Sequence, residues 1–189
     1  MKLPSTGITP IYRSDPSGDT FAFTDYLSRV NPTWKSRVGH ASTSVSWPTG
    51  TGAKGNAGVA AAILSTPGSI GYVAIGQAVG SKLRFATIQN RVHTFVTPST
   101  RTIAAAAKTA HFKRDNSASI VNPPASAKNA YPISTFTYVI VPRNSAKLAA
   151  LRKFMTYAVT AGQAYAPALQ FAPLPKNVVA KSKSVIKGL

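Results

Sequence analysis

Apolar positions recur along this chain with two different spacings. Ile8 to Tyr12 reads as a strand that runs into a turn at Arg13 to Gly18. Phe21, Phe23, Tyr26, Leu27 and Val30 then mark a helical face. Asn31-Pro32 ends that helix, because the residue before a proline is pushed out of the helical region. Ser42 to Trp47 alternates like a strand, and a glycine-rich turn from Gly50 to Gly58 opens into a short helix, Val59 to Leu64. Thr66-Pro67-Gly68 breaks it. Ile70 to Ile75 reads as a buried strand and Leu83 to Ile88 as another.

In the second half, Ile103 to His111 is alanine-rich and helical. Asp115 to Asn129 is polar, carries Pro123-Pro124, and reads as a loop or crossover. Phe136 to Val141 is a strongly apolar strand. Ser145 to Ala161 is an amphipathic helix with Leu148, Leu151, Phe154, Met155 and Ala158 on one face, Ser145 as N-cap and Gly162 as C-cap. The tail from Lys176 carries Lys181, Lys183 and Lys187 among valines. No repeat of 20 to 50 residues is visible. Strands alternating with helices predict an α/β protein with a mainly parallel or mixed sheet.

Composition adds a strong bias. The 189 residues are 44% hydrophobic, enough for one sizeable domain or two small lobes. There are 22 Lys plus Arg against four acids, Asp15, Asp19, Asp25 and Asp115, for a formal charge of +18. That balance concentrates any anion near the surface: phosphate, nucleic acid, anionic lipid or cell-wall polyanion alike, or it serves solubility alone. The cations are spread along the chain with few aromatics between them. They suit nonspecific adhesion to polyanions rather than specific nucleic-acid recognition. The absence of cysteine excludes disulfides, thiolate metal sites and a Cys nucleophile. No apolar run is long enough to cross a bilayer. The first residues are too few and too polar for a signal peptide, so an export signal is expected outside this chain.

Arg13-Ser14-Asp15-Pro16-Ser17-Gly18-Asp19-Thr20 is the segment best suited to chemistry. It lies between a strand and a helix, where unpaired backbone N–H groups suit an oxyanion. Arg13 offers a planar fork to a tetrahedral anion, and Asp15 is placed to hold the guanidinium. Ser17 would cap the helix or donate to a ligand, and Gly18 lets the backbone approach closely. On pattern alone an ordinary strand-to-helix turn with a surface Arg–Asp pair is the simpler account. Gly50-Thr51-Gly52-Ala53-Lys54-Gly55 matches G-x-G-x-x-G formally, but no acid lies between Asp25 and Asp115 to hold a ribose. The three histidines, His40, His93 and His111, have no metal-ligand spacing, and there is no G-x-S-x-G elbow. Neither a metal nor another cofactor is expected.

Several stretches, in this order, resemble the phosphate-binding proteins of ABC importers. They are Ile11 to Asp15, Ser17-Gly18 with Thr20-Phe21, Phe23 to Leu27, Asn31 to Lys35 and Ser44 to Pro48. Gly52 to Asn56, Thr66 to Val73, Ala130 to Ser134 and Pro173 to Pro175 continue the series. The resemblance implies a periplasmic-binding-protein-like fold of type II, with a mixed sheet flanked by helices and most of the N-terminal lobe missing. Residues 1–127 would form the second lobe, and 128–189 would return to the first. It implies inorganic phosphate, or a related tetrahedral oxyanion, as ligand and no catalysis. Arg13, Ser17, Gly18 and Thr20 would bind the anion, with Asp15 supporting Arg13. The implied partners are the membrane subunits of an ABC importer and the missing lobe or another chain, at a periplasmic or cell-surface location. Pro16 and Asp19 depart from the family pattern, which has Gly and a hydroxyl residue there. A basic structural or interaction module built on the same scaffold is the alternative.

Overall fold

The structure is a computed structural model that describes residues 5–189. The chain forms two compact units, residues 1–85 and 86–189. In the first, strand β1 (Thr9–Arg13) leads into helix α1 (Gly18–Val30) and a short helix α2 (Pro32–Arg37). Strand β2 (Thr51–Ala53), helix α3 (Gly55–Ser65), strand β3 (Ser69–Gly71) and helix α4 (Ile75–Gly80) follow. The sheet is parallel, in the order β2-β1-β3. Register places Ile11 opposite Thr51 on one side and Gly71 on the other. β1 is thus the central strand, and Ile11 at its middle is 2% exposed. Val59 and Ala60 of α3 are small side chains that let this helix pack closely on the sheet, and Ala22 of α1 is buried as well.

The sequence expectations for this unit hold for β1 and α1. Asn31 both ends α1 and begins α2: its N–H bonds Leu27 O, and its side chain accepts from Trp34 N at 3.0 Å. A proline in the first turn of a helix costs nothing, since its missing N–H has no acceptor there. Pro32 therefore starts α2, which the sequence reading had not foreseen. Ser42 to Trp47 is not a strand. Trp47 instead stacks on Tyr12 at 5.1 Å and lies 5.8 Å from Tyr72, which itself stacks on Phe23 at 4.8 Å. The alternation reflected ring burial rather than ladder pairing. The strand expected at Ile70 to Ile75 is confined to Ser69–Gly71, and Ile70 is exposed rather than buried.

The second unit has a two-stranded antiparallel ribbon, β4 (Ile88–Gln89) with β5 (Phe95–Val96), in place of a strand over Leu83 to Ile88. Helix α5 (Thr100–Ala107) starts earlier than its alanine run suggested, because Ser99 and Thr102 form a reciprocal capping box. Ala106, Ala107, Ile120 and Ala130 form the core here, with Phe136 packed against it. Helix α6 (Leu148–Ala158) is amphipathic and buries Met155 of the predicted face, but Phe154 of that face is exposed, and Lys147 and Val159, not Ser145 and Gly162, flank the helix. Ser145 Oγ accepts from Lys147 N in the preceding turn, and Gly162 lies in a following 3-10 turn. The lysine-bearing tail is helix α7 (Lys176–Lys187), which packs on α6 and buries Val178 and Ile186.

Phe136 to Val141 forms no strand and pairs with none among the described residues. Ile140 is 92% exposed and Val139 69%. An apolar run becomes a strand only where a neighbour offers a ladder, and none is present here. No helix among the described residues is long and apolar enough to cross a membrane.

Candidate functional site

Parallel sheets bind ligands outside the carboxyl ends of their strands, where the strand order changes direction. β1 is such a point: the chain goes from β1 to β2 on one side, then to β3 on the other. Arg13 is the last residue of β1. Its side chain is only 10% exposed, so its charge needs partners. Asp15 takes Nε and Nη2 in a bidentate pair, with Nε donating to Oδ1 at 2.8 Å. Nη1 donates to Asp19 Oδ2 at 3.1 Å. A guanidinium has five N–H groups. These contacts leave one on Nη1 and one on Nη2.

The helix entrance is built from the same short segment. Ser17 is the N-cap of α1, and its Oγ accepts from Thr20 N at 3.0 Å. The first backbone N–H groups of α1 have no acceptor within the helix. A Cβ placed on Gly18 would meet nothing within 4 Å, so the approach to that backbone is open. Thr20 is 1% exposed, and its Oγ1 lies 2.7 Å from Tyr72 Oη and 3.2 Å from Ser17 Oγ. Tyr72 Oη also accepts from Arg13 N at 3.2 Å. Burial pushes the Tyr72 phenol up, while the bonds from Thr20 and Arg13 pull against it. Arg13, Asp15, Ser17, Gly18 and Thr20 therefore lie together, with Thr20 beneath the turn rather than at its surface.

Three residues outside that segment complete the arrangement. Gly55 N donates to Asp15 Oδ1 at 2.8 Å from the start of α3. Asn56 Nδ2 donates to Asp19 Oδ2 at 3.0 Å, while its Oδ1 accepts from Ala74 N at 3.0 Å. Tyr72 is the third. They come from Gly52 to Asn56 and Thr66 to Val73, stretches that carried the family resemblance but held no predicted role. Each is 37 to 59 residues from its partner, so local pattern could not find it.

Hydrogen bonding from Arg13, then from Gly55 N–H, holds the Asp15 carboxyl well below the usual carboxylate range. The same pair raises the Arg13 pKa, so its charge is permanent. A lowered folded pKa stabilises the fold above the unfolded value, about 3.9, and the stabilisation is lost as pH falls below it. Asp15→Asn is accordingly expected to melt below wild type at about pH 6, with the gap closing below about pH 4. Melting curves across that range check this, and a gap independent of pH would contradict it.

A model of the PBP superfamily domain matches residues 2–161. Phosphate-binding protein PstS of Xylella fastidiosa (strain Temecula1) is 39% identical over 183 residues, which cover 95% of this chain and 50% of that protein. Its namesake in Methanocaldococcus jannaschii is 37% identical over 186 residues, covering 86% and 46%. The chain spans about half the length of the curated relatives it matches. Among solved structures, a high-affinity periplasmic phosphate-binding protein with phosphate bound superposes with a TM-score of 0.67 at 24% identity. That match covers 95% of this chain and 57% of the other. A DING protein gives the same TM-score at 21% identity, with 95% and 58% covered. These likenesses bear out the α/β, periplasmic-binding-protein-like fold.

Proposed function

The chain belongs to the PBP superfamily, and on that premise we propose that it binds inorganic phosphate for uptake by an ABC importer. The observation that carries this reading is the Arg13 guanidinium. It is held at the carboxyl end of the central strand, at the entrance of α1, with two N–H groups unspent. Relatives named for phosphate binding support the same ligand.

In this reading Arg13 supplies charge and the Gly18 N–H supplies a backbone donor. Ser17 adds its hydroxyl hydrogen, its oxygen being already engaged by Thr20 N. Thr20 supports Ser17 through the 3.2 Å contact between their hydroxyls. Asp15 keeps the Arg13 fork in its plane. Binding proceeds without catalysis: the nearby hydroxyls are buried and tied to Thr20 N and Tyr72 rather than to a general base.

The lobe division is part of the proposal. Residues 1–127 form one lobe, and the chain returns towards the other after Tyr131, whose N–H bonds Thr102 O. The exposed apolar run at 136–141 meets that lobe, on this polypeptide or another. The location is periplasmic or at the cell surface, as for the solved neighbour described as periplasmic. Residues 116–189 contain cations but no acid, which favours weak, salt-sensitive adhesion to polyanions as a secondary property.

Calorimetric titration of this chain with phosphate tests the reading. A saturable, single-site heat is expected, and no heat at any accessible concentration would overturn it.

A further inference from the structure

We infer that the second unit docks on an anionic lipid surface through the cleft between α6 and α7, where Arg152, Lys183 and Lys187 seat a headgroup phosphate. The inference deepens the polyanion adhesion of residues 116–189 and makes no use of Arg13, which lies in the other unit. The cleft has a volume of about 340 Å³ and is lined by those three cations with Thr156 and Ile186. Arg152 and Thr156 are one turn apart on α6, and Lys183 and Lys187 one turn apart on α7, so each pair stacks along one helix face. The two helices pack together, and each buries an apolar residue, Met155 and Ile186.

None of the three cations forms an ion pair among the described residues. Residues 116–189 contain no acidic side chain, so this part of the chain has no counter-ion of its own to offer. Asp115, just before it, accepts from Ser117 N at 2.9 Å and from Ser117 Oγ at 2.7 Å. Lys181 provides a contrast on the same helix: its Nζ lies 6.0 Å over the Phe112 ring, a partner within the fold. Lys187 is in the last turn of α7, where the backbone dipoles favour a cation. That accounts for one charge, but not for Lys183 a turn earlier or for Arg152 on the other helix. Like charges lining one cleft repel, and an anion seated among them turns the repulsion into attraction.

A phosphate group suits these cations, because Arg152 offers a planar fork and the two lysines offer point charges to its oxygens. Ile186 and the hydrocarbon stems of the cations give the cleft an apolar lining for the carbons that carry a headgroup phosphate. Fourteen of the 22 Lys and Arg residues fall in 86–189 beside a single acid, so an anionic bilayer attracts the whole unit. The connection from α6 to α7 exposes Tyr165, Leu169 and Phe171, at 64%, 65% and 58%. Such side chains enter the interfacial layer of a membrane, which a soluble polyanion does not provide.

The test is co-sedimentation of the whole chain with phosphatidylcholine vesicles, either alone or with about one-third phosphatidylglycerol, across a salt series. Wild type is expected to bind only the anionic vesicles and to leave them as salt rises above about 0.15 M. Arg152→Gln, Lys183→Gln and Lys187→Gln together keep the side-chain stems and the helix propensity. They should weaken binding about 100-fold, at roughly fivefold per cation. Lys183→Glu alone should weaken it about tenfold or more and covers the case in which the triple variant folds poorly. Arg101→Gln, Lys113→Gln and Arg114→Gln remove the same charge from exposed positions elsewhere in the unit and should cost less than about fivefold. Equal losses in the two triple variants would overturn the cleft and leave diffuse adhesion standing. Retention by duplex DNA without vesicle binding, or vesicle binding that stays flat as salt rises, would overturn the lipid surface. Binding to neither would remove the inference and the adhesion with it, and none of these outcomes alters the phosphate titration at Arg13.

Discussion

Arg13→Ala is expected to abolish measurable phosphate binding. Losing a charged, partly desolvated hydrogen-bonding partner typically costs ~2–5 kcal/mol, or roughly 30- to 5,000-fold in affinity. The side chain meets those conditions: it is 10% exposed and fixed by Asp15 and Asp19. Its removal would also leave two carboxylates facing the anion with no cation between them. Arg13→Lys should fall between, because an ammonium keeps the charge but not the planar fork that matches Asp15. Arg29→Ala is the control. Arg29 pairs with Asp25 in the last turn of α1, and its loss should leave the titration unchanged. A loss confined to Arg13, with far-ultraviolet dichroism unchanged in both variants, is the expected pattern. Equal heats for wild type and Arg13→Ala would remove Arg13 from the site.

Gly50→Ala should give the largest loss of stability, roughly 2–6 kcal/mol from left-handed strain and overpacking together. Gly50 has a φ of +106°, and a Cβ there would lie 2.3 Å from the carbonyl oxygen of Pro10. That oxygen belongs to the central strand, so it cannot step aside as a flexible side chain would. The effect reaches the site through β2, which follows Gly50 and pairs Ala53 with Arg13. From there the chain carries Gly55 N–H to Asp15. Variant protein that still folds should therefore bind phosphate more weakly as well. Denaturant unfolding measures the stability loss, and Gly18→Ala is the comparison. Gly18 has open space around it, and its replacement should cost far less. A Gly50→Ala midpoint equal to wild type would contradict the steric argument.

The alternating elements of the first unit were legible because their signals are local. β1 and α1 are specified by an apolar strand, a Ser17 cap and a helical stripe, all within about twenty residues. The Arg13–Asp15 pair was legible for the same reason, being two residues apart. Where burial depends on a distant neighbour, the same apolar patterns misled. Ser42 to Trp47 alternates because Trp47 enters an aromatic stack with Tyr12, Phe23 and Tyr72, not because a strand runs there. Phe136 to Val141 has strand composition but no ladder among the described residues.

The sequence by itself determined the class of the fold, the strand-to-helix turn that bears Arg13, and the excess of cations over acids. Those properties follow from residue type and near-neighbour spacing, which act over one or two turns of chain. Tertiary structure alone decided what surrounds the Arg13–Asp15 pair. It brought Gly55, Asn56 and Tyr72 to the turn from two other segments, and it placed Asp19 on the fork rather than in solvent. The physical reason is the parallel sheet. Its crossovers bring β2 and β3 beside β1 only after long excursions of chain, so the partners of a residue at the end of β1 are set by register and packing.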